Sequence, residues 1–288
     1  MSSVFLRSVR TLLILGRVSN LPTVWSNCLA GWWLGGKGHA EKLPFLFAGA
    51  TLLYVGGMFL NDAFDAVFDR QYRSERPIPS GHITRRAVWL WGLAWLVLGA
   101  ACLFLISTKT GGIGMVLLFC ILLYDGTHKH ISFAPILMGA CRAILYLVAA
   151  STASEQVTGL AVWCGLGLGA YVVGLSCFAR GESLRGPLRY WPVLLLAAPI
   201  ILALLINAGL YRQNALLLSA VLAVWCLKCM RYTFGAGEKQ IGRTVSGLLA
   251  GIIFVDWLAV ADAPRELGVA FLVLFGLALL FQKFVPAT

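Results

Sequence analysis

Acidic residues are scarce in this chain: twelve Asp and Glu among 288 residues. Charged residues of both signs make up 12% of it, against about 25% in ordinary globular chains. No low-complexity tract, internal repeat or polar linker interrupts it. What remains is apolar: hydrophobic residues reach 59% and mean hydropathy is +0.83. Such a chain has too little polar surface to cover one soluble core. The composition excludes a soluble enzyme, a disordered protein and a nucleic-acid binder, although the net charge is +11. We read residues 1–288 as a single all-α integral membrane domain.

The opening does not read as a cleavable signal peptide. Arg7 and Arg10 supply basic charge, but the apolar stretch from Thr11 to Leu15 is short and ends at Gly16-Arg17. Residues 1–17 read as a basic cytoplasmic or interfacial lead-in. The eight cysteines lie in apolar stretches, where Cys behaves as a small hydrophobe. Cys226 and Cys229 have CxxC spacing, but no second pair or nearby His completes a zinc site.

Apolar runs fall at 18–36, 43–61, 87–106, 110–125, 133–152, 158–178, 190–209, 213–232, 244–261 and 267–284. Each is apolar on all sides, which predicts about nine or ten membrane helices. The run at 110–125 is the shortest and implies tilt or burial in protein. Gly31/Gly35, Gly165/Gly169 and Gly247/Gly251 have the GxxxG spacing that allows close helix contact, a spacing that 31 glycines also produce by chance. With the N-terminus in the cytoplasm of a cell (inner or plasma) membrane, seventeen Lys and Arg fall on the cytoplasmic side and five on the other, with Arg142 inside a span. That bias sets the expected orientation.

Four of the twelve acids lie within fifteen positions at the end of the second run, in Asn61-Asp62-Ala-Phe-Asp65-Ala-Val-Phe-Asp69 and then Glu75. At about 100° per residue, Asn61, Asp65 and Asp69 share one helix face. Hard oxygen donors so placed suit Mg²⁺, which uses one or two carboxylates together with substrate phosphates. Arg70, Arg73 and Arg76 follow at once, and guanidinium forks match phosphate oxygens. Carboxylates, metal and arginines together describe a diphosphate site. The bland alternative is a solvated helix end with local ion pairs. Mid-span Arg142 and Asp256 either pair with each other or line a pocket.

The Asn-Asp-x-x-Asp-x-x-x-Asp pattern followed by Arg76-Pro77-Ile78-Pro79-Ser80-Gly81 resembles the first aspartate-rich motif of the UbiA superfamily of intramembrane prenyltransferases. The resemblance implies about nine helices around a central cavity. It implies Mg²⁺ held at Asn61, Asp62, Asp65 and Asp69 on the diphosphate of a polyprenyl donor. Loss of the diphosphate leaves an allylic cation, which an aromatic or other small acceptor captures. Asp65, Asp69 and Lys129 are then the catalytic candidates, and Arg73, Arg76, Tyr124 and Arg180 bind substrate. The substrates and membrane lipid are the expected partners.

Two later landmarks depart from the family pattern. Its Tyr-x-x-x-Lys pair is met by Tyr124, but His128 holds the +4 position and Lys129 comes one later. Where the family carries a second Asp-x-x-x-Asp motif, this chain reads Phe178-Ala-Arg180-Gly-Glu182-Ser-Leu-Arg185-Gly186. Either Arg180 and Arg185 replace a second cation electrostatically, or catalysis is altered and the chain binds or carries a lipid or precursor for a biosynthetic or export system. In this respect it also resembles the Ebo-type, divergent UbiA-like branch.

Overall fold

The computed structural model describes residues 2–129, 131–184, 191–207, 211–235 and 239–287, with side chains described from residue 8 onward and, in the seventh helix, as far as Arg180. Among these residues the only regular structure is helical. The helices are α1 (Ser2–Leu15), α2 (Leu21–Leu34), α3 (Leu43–Tyr72), α4 (Arg85–Ile106), α5 (Thr108–Thr127) and α6 (Ala134–Ala150). They continue as α7 (Gly159–Leu184), α8 (Pro192–Leu196), α9 (Ala198–Ile206), α10 (Tyr211–Phe234), α11 (Ile241–Ala259) and α12 (Arg265–Gln282).

Over the described residues each of the ten apolar runs falls on helix, and among them seven helices are individually long and apolar enough to cross a membrane. The helix boundaries have local causes. Prolines 22, 44, 135 and 199 stand in the first turns of α2, α3, α6 and α9, where a missing N–H costs nothing. Thr84 and Ser107 cap α4 and α5 by accepting the N–H of Ala87 and Thr110. The run at 190–209 is split at Ala197, because Pro199 has no N–H to give and its ring crowds the preceding turn. The 110–125 run needs no tilt to span: the helix built on it has 20 residues, about 30 Å at 1.5 Å per residue.

Small residues let the helices touch backbone to backbone. A Cβ added at Gly31 would sit 2.7 Å from the carbonyl oxygen of Tyr146, and one at Gly35 2.5 Å from that of Ala150, so α2 lies directly on α6. A second seam escapes the GxxxG search because its glycines repeat every seven residues: Gly49 and Gly56 on α3 face Gly99 and Gly92 on α4. Large side chains such as Leu90, Leu105, Leu194 and Leu205 point outward and are at least 70% exposed, as a lipid-facing surface requires.

At the centre, Asp256 on α11 is fully buried. Its carboxylate accepts from Ser26 Oγ at 2.5 Å, Asn27 Nδ2 at 2.7 Å and Tyr146 OH at 2.5 Å. Arg142 on α6 donates to Asn27 Oδ1 at 2.7 Å and to Thr23 Oγ1 at 3.2 Å. Arg142 and Asp256 are thus joined through the Asn27 amide, whose two ends suit the two charges. This network ties α2, α6 and α11 together at depth, where an unpaired charge would be costly.

Candidate active site

Helix α3 has 30 residues and is about 45 Å long, well beyond the roughly 30 Å of a hydrocarbon core. Its last three turns therefore carry polar groups to the membrane boundary. Asn61, Asp62, Asp65 and Asp69 are nonetheless buried, at 1–7% exposure. Phe64 and Val67, on the opposite face, are exposed, and Phe64 meets Trp89 edge-on at 4.7 Å.

The segment after α3 folds back and returns Arg76 to the acids. His82 N–H bonds the Pro77 carbonyl, Ser80 N–H bonds that of Arg76, and Gly81 takes a left-handed turn at φ 78°. Ile78 is buried against Leu15, Phe59, Ala66 and Val88. So held, Arg76 Nη1 lies 3.1 Å from both Asp62 Oδ1 and Asp69 Oδ2.

From the other side come α5 and the turn after it. Lys129 Nζ is 2.8 Å and His128 Nε2 3.3 Å from Asp65 Oδ1. Lys129 also lies over the Phe68 ring, 3.7 Å from its centroid. Tyr124 stacks on the His128 ring at 5.0 Å. Asn61 Nδ2 donates to Asp125 Oδ1 at 3.1 Å, and its Oδ1 accepts from Arg17 Nη2 at 3.4 Å. Arg17 also pairs with Asp62 at 3.5 Å. Burial opposes the charge on Arg17, but Asp62, with Tyr54, Tyr124 and Asp65 beyond it, outweighs burial and raises its pKa above the ordinary value.

The structure brings Asn61, Asp62, Asp65, Asp69, Arg76, Tyr124 and Lys129 to one place. Arg73 is the C-terminal cap of α3, half-buried, and its N–H bonds the Asp69 carbonyl. Arg180 is turned to the turn after α5, donating to the carbonyls of Ile131 at 2.7 Å and Ser132 at 3.1 Å. Arg185 and the side chain of Glu182 lie outside the described residues. Three members of the cluster were absent from the sequence-derived set: Arg17, Asp125 and His128. Their signals were a cation directly before the first span, a rare acid beside Tyr124 and a His four positions after it.

Among the described residues, no three His, Cys, Asp or Glu side chains converge as a metal-binding group. The donors present are nonetheless those of a substrate-completed Mg²⁺ site. Asp69 Oδ1 and Asp125 Oδ2 are buried without a hydrogen-bond partner. Such orphaned oxygens suit a hard cation that takes its remaining ligands from phosphate and water.

The fold and this cluster define a multi-pass membrane helix bundle with acids and bases gathered at one end. A model of the UbiA prenyltransferase family matches residues 20–194, more than half of the sequence, and the chain belongs to that family. Among similar proteins is the digeranylgeranylglyceryl phosphate synthase of Methanothrix thermoacetophila, 31% identical over 126 residues, covering 43% of this chain and 47% of the relative. The synthase of the same name from Methanoregula boonei is 34% identical over 109 residues, 33% of this chain and 39% of the relative. The chain thus matches about half or less of these relatives' length. A solved structure of a UbiA homologue from Archaeoglobus fulgidus bound to GPP and Mg²⁺ superposes with a TM-score of 0.67 at 12% identity, covering 94% of this chain and 98% of the other. At that identity the likeness is one of fold.

Proposed function

We propose that this chain is a Mg²⁺-dependent membrane prenyltransferase, moving a prenyl group from a polyprenyl diphosphate to a small acceptor. The observation that carries this reading is the buried cluster on the last turns of α3, with Asp69 Oδ1 unpartnered while Arg76 holds Asp69 Oδ2 and Lys129 holds Asp65. Family membership and the Mg²⁺ and GPP bound by the Archaeoglobus homologue support it.

Asp65, Asp69 and Asn61 would hold the ion, with Asp62 in support. Bound there, Mg²⁺ would neutralise charge growing on the departing diphosphate. Lys129 and Arg76, now on carboxylates, are placed to shift part of their bonding to phosphate oxygens. Arg17 fixes Asn61 and Asp62 from behind. Tyr124, stacked on His128, offers a π face to positive charge developing on the allylic carbon. Arg73 and Arg180 flank the cluster, and Arg180 would steady the turn that carries Lys129. The acidic end of α3, with the basic loops beside it, faces the cytoplasm.

One observation favours a second reading, a binding or carrier protein without turnover. In the segment where the resemblance expects two aspartates, Glu182 is the only acid. Purified protein incubated with labelled prenyl diphosphates of graded length, with and without Mg²⁺, separates the two. Mg²⁺-dependent release of diphosphate supports the transferase. Binding without release at every chain length supports the carrier.

A further inference from the structure

Arg17 reaches the cluster from an uncommon backbone. It stands in the left-handed region at φ 41° and ψ 49°, where a residue with a Cβ stays only if its surroundings hold it. This corner follows α1 and opens a single 3₁₀ turn, Val18–Asn20, before α2 begins. From it, Arg17 Nη2 reaches both Asn61 Oδ1 and Asp62 Oδ1. An Arg17 relaxed to the right-handed region would redirect the chain at this point and carry the guanidinium off both groups.

The corner is fastened from 267 positions away. Asn20 Nδ2 donates to the Ala287 carbonyl at 2.9 Å, and Ser19 Oγ donates to that of Pro286 at 3.4 Å. Ser19, Asn20, Val285 and Ala287 are all buried, and Pro286 lines one cavity wall with Arg17, Asp62 and Arg76. Asn20 shows that this is more than packing. It directly precedes α2, where an Asn side chain ordinarily accepts an N–H of the first turn. Here the 3₁₀ turn runs straight into the helix and the side chain makes no such bond. Its Oδ1 is buried without a partner. A buried acceptor left open is destabilising, which argues that the amide is kept at this position for its bond to Ala287.

We propose that residues 285–287 form a strap that keeps Arg17 in its left-handed corner, with Asn20 as the positioning residue that fastens it. The consequence for the reaction rests on the transferase reading. Arg17 bonds the amide oxygen of Asn61 while Asp125 takes the amide nitrogen, so the two together fix the orientation of a proposed Mg²⁺ ligand. Release of the strap frees Arg17. Asn61 then loses one of its two restraints, and Asp62 one of the two cations that hold it. The segment after α12 thereby governs a site built on α3 and α5.

The test combines hydrogen exchange, which needs no ligand, with Mg²⁺-dependent binding of geranylgeranyl diphosphate, both on the purified full chain in a neutral detergent. Asn20→Asp keeps the volume and replaces the donor by an oxygen. Ala287→Gln is too large for a position only 5% exposed and lifts the strap from its other end. Each variant should speed exchange across residues 16–20, where the Asn20 N–H bonds the Arg17 carbonyl, by about tenfold. Each should also weaken binding per folded chain by about tenfold. Arg17→Ala should weaken binding at least as much. Adding Asn20→Asp to it should then cost less than about twofold more, because the strap acts through Arg17. Unaltered exchange across residues 16–20 in Ala287→Gln overturns the proposal. So does a lowered unfolding midpoint with unchanged binding per folded chain, which would leave only a packing contact. A full further loss when Asn20→Asp joins Arg17→Ala overturns the route through Arg17. If the unmodified protein binds no prenyl diphosphate at any chain length, the transferase reading fails and the positioning role falls with it; exchange alone then decides whether the strap holds the corner.

Discussion

Lys129 reaches Asp65 from the turn that follows α5, with Nζ 2.8 Å from Oδ1. The lysine is 29% exposed and its partner 9%. A partly wet ion pair of this kind adds little stability, about 0–1 kcal/mol. It is better explained as a cation parked on a carboxylate that another ligand will claim. Lys129→Gln should therefore leave the unfolding midpoint nearly unchanged and lower prenyl transfer by about 100-fold or more. Thermal unfolding in detergent and a turnover assay on the same preparation check this. Unchanged turnover would remove Lys129 from the site.

Asp69 tests the metal assignment. Asp69→Asn keeps the shape and leaves one oxygen for the Arg76 contact, but removes the negative charge and one of the two oxygen donors of a buried group. Prenyl diphosphate binding should then need about tenfold or more Mg²⁺. A Mg²⁺ titration of labelled geranylgeranyl diphosphate binding reads it directly. An unshifted titration places the ion elsewhere.

The Asp256 network makes a stability prediction. Removing the carboxylate strands Ser26, Asn27 and Tyr146 and leaves the Arg142 charge uncompensated. Asp256→Ala should cost about 3–5 kcal/mol, seen as poor recovery from the membrane and a depressed unfolding midpoint. Arg142→Met combined with Asp256→Leu removes both charges and should recover part of that loss. If the single variant unfolds like the unmodified protein, the network does not hold the three helices.

The glycine seam between α3 and α4 positions the whole cluster. A Cβ at Gly99 would meet the backbone nitrogen of Leu53 at 2.9 Å and the carbonyl of Gly49 at 3.0 Å, neither of which can swing away. Gly99→Ala should destabilise by about 1–3 kcal/mol and lower activity by displacing α3. Gly276→Ala, with nothing within 4 Å, should do neither. Equal melting of the two variants would contradict the close packing.

Much of this was legible from residue order. The ten apolar runs coincide with helix because a membrane span is dictated by composition over a long window. The shared face of Asn61, Asp65 and Asp69 followed from helix period alone. Contacts between distant segments were not legible. Nothing near Arg17 points to Asn61, 44 positions away, and nothing in the order of residues chose between Arg142 and Asp256 as a pair and as pocket lining, or put Asn27 between them. The α3–α4 seam was hidden because its glycines repeat every seven residues. The break at Ala197 was signalled by Pro199 but lost inside an unbroken apolar run.

Orientation is open to a chemical test at Ser80, which is exposed in the loop after α3. Residues 70–86 hold five arginines and no lysine, so the loop should face the cytoplasm. A cysteine placed at Ser80 should resist an impermeant thiol reagent in intact cells and react after permeabilisation. Labelling in intact cells would invert the topology.

The central claim is that the end of α3 ionises a prenyl diphosphate with the help of Mg²⁺. The most direct measurement is diphosphate release by the purified protein in lipid nanodiscs, supplied with prenyl diphosphates of graded length. The account predicts release that requires Mg²⁺, stops on chelation, and is lost in Asp65→Asn while the variant remains folded. Release that is absent at every chain length, or that proceeds equally in Asp65→Asn, would contradict it.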